Sequence, residues 1–297
     1  MSENTRINLV NSWELEKISF ICVDNEDMNF DSYVSKKDYE NIEEDNKNEF
    51  IYFYQTHVLP QPFFGNIKNP KIVVLAKNPA YDIFNEFDEF DKLKKKYGLQ
   101  SNNDENLINF IINNGNKLLF DNEFSDSCTQ KWWKTIFKDL LPDDGFETLL
   151  NKIGIFNLCG YHSRSYYEFP KRFLKDKDKD YFETQIALKE HLEAIKKECK
   201  KPIFIIIWGE QEWRNFLPED FFEGTNLLVV NKKKDGSYST TRTIVNSEDF
   251  NKTIDKDFKA AFKKYFSAES ETDEYNQINE IKKYIKEIKM KKYKIKG

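Results

Sequence analysis

The sequence has very little arginine. Only Arg6, Arg164, Arg172, Arg214 and Arg242 occur, beside a large excess of lysine, so each arginine marks a place where its planar fork can matter. Cysteine is scarce and unpaired in pattern. Cys22, Cys128, Cys159 and Cys199 lie far apart with no Cys-x-x-Cys, which excludes zinc-knuckle and iron–sulfur spacings and predicts reduced, buried thiols. No apolar run is long enough to span a bilayer, and the N-terminus is polar, without a signal peptide. A cytoplasmic protein with no membrane partner is expected. A net charge of −5 excludes a general polyanion binder. Clustered Asp/Glu–Lys spacing of the kind a metal-dependent nuclease needs is missing. No internal repeat is evident. Neither a metal nor an organic cofactor is implied.

What is present is aromatic. The 26 Phe, 15 Tyr and 5 Trp supply large buried areas, enough for a proper core in a chain of 297 residues. Charge is uneven. Residues 281–297 carry eight Lys and one Glu, or +7, which leaves −12 on the rest of the chain. A basic end on an acidic body suits a local nucleic-acid contact or a solvated helix face.

The chain is organised around residues 59–81. Lys71–Ala76 is a short apolar run rich in β-branched residues, bounded by Gly65, Asn66, Asn69 and Pro70 before and by Asn78 and Pro79 after. That pattern predicts a buried, parallel strand. Pro79 pushes Asn78 toward an extended conformation and ends the ladder. An Asn is thereby presented at the carboxyl end of a central strand, the edge where open α/β sheets bind ligands.

Further segments follow in order. Phe84, Phe87, Phe90 and Leu93 predict a helix ending at Gly98, and Leu107–Ile111 a short one. Trp133, Ile136, Phe137 and Leu140 lie at i, i+3, i+4, i+7 and predict a core-facing helix. Ile153–Gly160 is the second strand, Pro202–Trp208 the third and Leu227–Val230 the fourth. A helix over 181–199 and a short one over 211–216 separate them, and helices over 255–266 and 273–293 close the chain. Asp235-Gly236 suits a hairpin or a long loop. Residues 1–23 read equally as strand or helix, 24–50 as a surface loop with helical turns, and 50–58 as an aromatic cluster beside the central strand. The expected fold is α/β: a three-layer αβα arrangement with a central four-stranded, mostly parallel sheet and helical N- and C-terminal additions. Residues 1–250 form the α/β domain and 251–297 a Lys-rich helical appendage.

Three strand ends carry residues capable of chemistry. The first ends at Asn78. The second holds Asn157 and leads into Tyr161, His162, Ser163 and Arg164. The fourth leads to Lys232–Lys234, Ser237, Ser239 and Arg242. Ala76-Lys77-Asn78-Pro79-Ala80, preceded by Pro62-Phe63-Phe64-Gly65-Asn66, resembles the first motif of the uracil-DNA glycosylase superfamily. Alanines replace the two glycines of that turn. Asn157 stands where the family places a base-reading Asn. The family's His-Pro-Ser type motif at the fourth strand is replaced by Val230-Asn231-Lys232-Lys233. The resemblance spans roughly residues 59–245 as an ordering of elements. It implies a divergent branch acting on a uracil-like or modified base, such as the antiphage glycosylases that attack modified phage DNA.

That resemblance implies DNA as partner, either single-stranded or as a duplex with a flipped base. Asn78 would orient the attacking water, and His162 would donate to the departing base. Asn157 would read the base edge with one acceptor and two donors. Phe63, Phe64, Tyr81 and Tyr161 would wall the base. Ser163, Arg164, Lys232, Lys233 and Arg242 would hold phosphates. Each residue also has a plainer use: Phe63 and Phe64 as core, Asn157 as a buried amide, His162 as a loop cap, Arg164 paired with Glu168. Asp82 and Glu210 are alternative water activators. A non-catalytic module with the same fold, sensing nucleic acid or a nucleotide or binding a partner protein, is the competing function.

Overall fold

The computed structural model describes residues 9–21, 29–54, 56, 60–77, 79, 95, 128–137, 146–162, 172–199, 202–229 and 256–294. In chain order the elements are β1 (Leu15–Ile21), β2 (Asn29–Ser35), α1 (Lys36–Glu40) and α2 (Lys47–Phe53). Then come β3 (Phe63–Gly65), β4 (Ile72–Ala76), α3 (Cys128–Phe137), α4 (Phe146–Lys152) and β5 (Ile153–Asn157). The rest are α5 (Glu183–Glu198), β6 (Ile203–Ile206), α6 (Glu210–Phe216), β7 (Asn226–Val229), α7 (Lys256–Phe266) and α8 (Glu271–Lys294).

The fold is α/β around a five-stranded sheet ordered β3–β5–β4–β6–β7. β4, β5, β6 and β7 run parallel, and β3 is antiparallel to β5. β4 and β6 read Ile-Val-Val-Leu-Ala and Ile-Phe-Ile-Ile, with every residue buried. Strands covered on both faces read as continuous apolar runs, which is why both were visible in the sequence. The expectation of four strands is corrected by β3. It is three residues long, too short to show a period. It lies close on the neighbouring chain at Gly65, whose φ is +75° and where a Cβ would stand 2.7 Å from the Leu150 carbonyl oxygen.

A separate two-stranded antiparallel ribbon, β1–β2, precedes the sheet. The loop expected over 24–50 thus contains a strand and two short helices. Ser35 caps the start of α1, its Oγ accepting from the Asp38 N–H at 3.4 Å. The aromatic cluster of α2 packs on segments following β5. Phe50 meets Tyr54, Tyr161, Phe173 and Phe182 with ring centroids 5.1–5.9 Å apart, mostly edge to face. Such pairs add about 0.5–1.5 kcal/mol each beyond area burial.

α8 lays Ile278, Ile281 and Ile285 into the core. Ser270 caps its start, accepting from the Asp273 N–H at 3.1 Å. Lys152, at the end of α4, ties α7 to α8: its Nζ donates to the carbonyls of Tyr265 (3.0 Å) and Ala268 (2.6 Å) and pairs with Glu274 at 3.0 Å. A cation there meets the carbonyl-rich end of α7. Among the described residues, no helix is long and apolar enough to cross a membrane. The helices predicted over 84–98 and 107–111 and the hairpin at Asp235-Gly236 lie outside the described residues.

Candidate active site at the carboxyl edge of the sheet

The parallel strands occur across the sheet in the order second, first, third, fourth. The connection leaving β4 leads to β5 on one side, and the one leaving β6 leads to β7 on the other. β4 and β6 therefore flank the topological switch point, where open α/β sheets place their ligands beyond the strands' carboxyl ends. Ala76 ends β4 in register with Asn157 of β5. Ala76, the last residue of β4, therefore stands beside the switch point.

The ladder continues past the strands. Leu158 N–H donates to the Ala76 carbonyl and Cys159 N–H to the Lys77 carbonyl, both at 2.9 Å. The Trp213 indole N–H donates to the Ala76 carbonyl at 3.1 Å, fixing α6 against the end of β4. On this edge Lys77 pairs with Glu212 at 2.5 Å and lies 5.8 Å from the Trp208 ring centroid. Gly209 starts α6 with φ +80°, and a Cβ there would sit 3.3 Å from the Lys77 side chain. Lys77, Trp208, Gly209 and Glu212 therefore meet where β4 and β6 end. The sequence pointed to this group only through Gly209 closing the most apolar strand. The pairing with Glu212 joins positions too far apart in the chain to be read.

The β5 side is tightly closed. Asn157 is buried; its N–H donates to the Pro62 carbonyl at 2.8 Å, and its Nδ2 donates to the Gln61 carbonyl at 2.6 Å. Gln61 N–H in turn donates to the Gly160 carbonyl at 2.7 Å. Trp13 packs over Gly160, where a Cβ would stand 2.6 Å from two indole carbons. The cavity left between Leu9, Trp13, Asn157, Gly160 and Gln185 is only about 10 Å³, room for one water at most.

Tyr161 is equally committed. Its hydroxyl donates to Asp38 Oδ2 at 2.8 Å and accepts from the Ser35 N–H at 3.0 Å. Asp38 is fully buried. It also accepts from the Thr184 hydroxyl at 2.7 Å and from the Thr184 N–H at 3.0 Å. The residue before α5 is Phe182, which has no side-chain acceptor, so Asp38 supplies the missing cap from a distant element. Burial raises the Asp38 carboxyl from 3.8 to about 6, against the lowering pull of its Thr184 and Tyr161 hydrogen bonds. Burial likewise pushes the Cys159 thiol up to about 12 and the Tyr161 hydroxyl well above its ordinary range, with the Asp38 charge adding to both.

The predicted site residues thus divide. Asn157, Tyr161 and His162 leave the same strand end, and all three are buried. Phe63 and Phe64 are fully buried in β3, with Phe64 edge-on to Trp133 at 6.2 Å. Glu210 pairs with Arg214 at 2.8 Å. Asn78, Tyr81, Asp82, Ser163, Arg164, Lys232, Lys233, Lys234, Ser237, Ser239 and Arg242 lie outside the described residues. Among the described residues, no three or more His, Cys, Asp or Glu side chains gather as metal ligands. No protein-family model matches the chain, and no curated protein or solved structure shows significant similarity to it.

Proposed function

We propose that the chain is a DNA glycosylase, a divergent relative of the uracil-DNA glycosylases, working at the carboxyl edge of its sheet. The observation that supports this reading is that β4, which the sequence follows with Lys77-Asn78-Pro79, ends at the topological switch point with Ala76 in register with Asn157. In the proposed reaction Asn78 orients a water toward C1′ of the flipped nucleotide. The N-glycosidic bond breaks, its electron pair leaves with the base, and His162 stabilises the departing anion by donating a hydrogen bond. The water's oxygen ends on C1′, and its released proton balances the charge on the base. Tyr81, Arg164 and the Lys232–Arg242 segment would line the base and the phosphates. Antiphage attack on modified DNA remains the proposed setting.

The competing reading, a non-catalytic nucleic-acid-binding module of the same fold, draws on one observation. The space beside Asn157 is about 10 Å³ and cannot admit a base while Leu9 and Trp13 stay in place. In the catalytic reading the base therefore enters on the β4/β6 side. Asn157 then braces the Gln61–Pro62 segment rather than reading the base edge.

Mass spectrometry of free bases after incubation with uracil-containing, unmodified and phage-modified DNA tests the proposal. Release of one base from one of these DNAs is expected. Binding without release from any of them would leave the non-catalytic reading.

A further inference from the structure

Two open spaces lie at the opposite end of the sheet. A groove of about 520 Å³ runs between the segments that enter β4, β5 and β6 and the start of α8. Lys71, Lys282, Asn66, Asn69, Asn151 and Tyr275 are among its lining. A second space, about 580 Å³, adjoins it through Lys282 and is lined by Lys283, Lys286, Asn226 and Asn279. Together the two hold five lysines against three glutamates, Glu271, Glu274 and Glu287, and Glu274 is paired with Lys152. Beyond Glu287 the helix continues through Lys289, Lys291, Lys292 and Lys294 with no acid.

Tyr275 adds an independent pointer. It is 64% exposed, while the other large apolar side chains described are buried or half-buried. An exposed ring beside lysines and amides is what a single strand needs: cations tracking the phosphates, a π-face for a base to stack on, and amide groups along the path. A groove meant for a small apolar ligand would bury its aromatic ring and carry fewer charges.

We propose that this double groove along α8 is a binding track for single-stranded nucleic acid, with Lys282, Lys283 and Lys286 on the phosphates and Tyr275 stacking a base. The track faces the amino edge, roughly 16 Å of strand away from the carboxyl edge. It therefore holds a strand without occupying the proposed catalytic crevice. The inference does not rest on the glycosylase reading, since a chain that released no base could still hold a strand here.

The test is fluorescence anisotropy with a labelled, mixed-sequence single-stranded DNA oligonucleotide, titrated at several salt concentrations. Replacing Lys282, Lys283 and Lys286 together by Gln should weaken binding strongly at low salt. It should also lower the slope of log affinity against log salt by about 2, at about 0.7 per lost phosphate contact. Tyr275→Ala should weaken binding about tenfold with the slope unchanged, and Tyr275→Phe should restore it. Wild-type affinity and slope in both the triple variant and Tyr275→Ala would overturn the proposal, as would failure of the wild type to bind. So would binding to phosphatidylserine-containing vesicles without binding to the oligonucleotide, which would make the patch a lipid-facing surface. These side chains are outside the apolar core, and an unchanged melting temperature checks that each variant is folded.

Discussion

The two edges of the sheet are built on opposite plans. At the carboxyl edge nearly every described polar group is spent on another part of the chain. Asn157 holds Gln61, Tyr161 and Thr184 converge on Asp38, Lys77 takes Glu212, and the free space beside Asn157 is about 10 Å³. At the amino edge Asn66, Asn69 and Lys152 are also held by the chain, but the lysines of α8 line two spaces of about 520 and 580 Å³, beside an exposed tyrosine. A rigid, desolvated edge suits precise placement of a few reacting groups. An open, charged edge suits a long, flexible, solvated partner. The difference is what the two proposals together require: one edge that acts on a strand and another that holds it.

Substitutions that break the closed edge should cost stability, and those on the open edge should not. Asp38→Ala should have the largest effect, at least about 3 kcal/mol in chemical denaturation. It strands two hydroxyls and an N–H in a fully buried site. A loss below about 1 kcal/mol would mean that water already satisfies these groups.

The same carboxyl gives the closed edge a pH dependence. Its pKa of about 6 in the folded state exceeds the ordinary 3.8, so the folded state holds the extra proton between these values. Its contribution therefore favours folding most at low pH and falls as pH rises through about 4 to 6, by up to about 3 kcal/mol. Subtracting the stability profile of Asp38→Asn from that of the wild type should isolate this slope; coincident profiles would refute it.

Gly160→Ala should cost about 1–3 kcal/mol, because the added methyl meets the Trp13 ring and the Pro62 Cα at 2.6 and 2.9 Å. A red shift in tryptophan emission would show Trp13 being expelled. Lys77→Met should matter less, by about 1 kcal/mol or below, since its pairing with Glu212 is only partly buried. Tyr275→Ala, on the open edge, should leave stability within about 0.5 kcal/mol. A larger loss would place that ring in the fold rather than on a binding surface.

Much of the architecture was legible because long-range order left local traces. β4, β6 and β7 announce themselves as apolar runs, and α3, α5 and α8 as periodic stripes. β3 was not legible, being three residues whose pairing depends on β5 about ninety positions later. β2 was hidden by its polar sequence, Asn-Phe-Asp-Ser-Tyr-Val-Ser, which reads as loop until its ribbon partner is known. Near the candidate site, the end of β4 at Ala76 was readable from the apolar run that stops there. The Asp38–Tyr161–Thr184 knot was not, because an acid in a polar stretch looks solvated until three distant segments fold onto it. The groove at α8 was visible only as a surplus of lysine near the C-terminus, without the tyrosine and amides that line it.

The most direct test of the separation between acting and holding is base release measured side by side in three proteins. Wild type, Asn78→Ala and the triple Lys282/Lys283/Lys286→Gln variant would be incubated with the same DNA, and free base quantified by mass spectrometry at saturating and limiting protein. The account predicts that Asn78→Ala releases no base at any concentration while still binding the strand. It predicts that the triple variant regains wild-type release once saturating. Full release by Asn78→Ala, or no release by any of the three on any DNA, would contradict it.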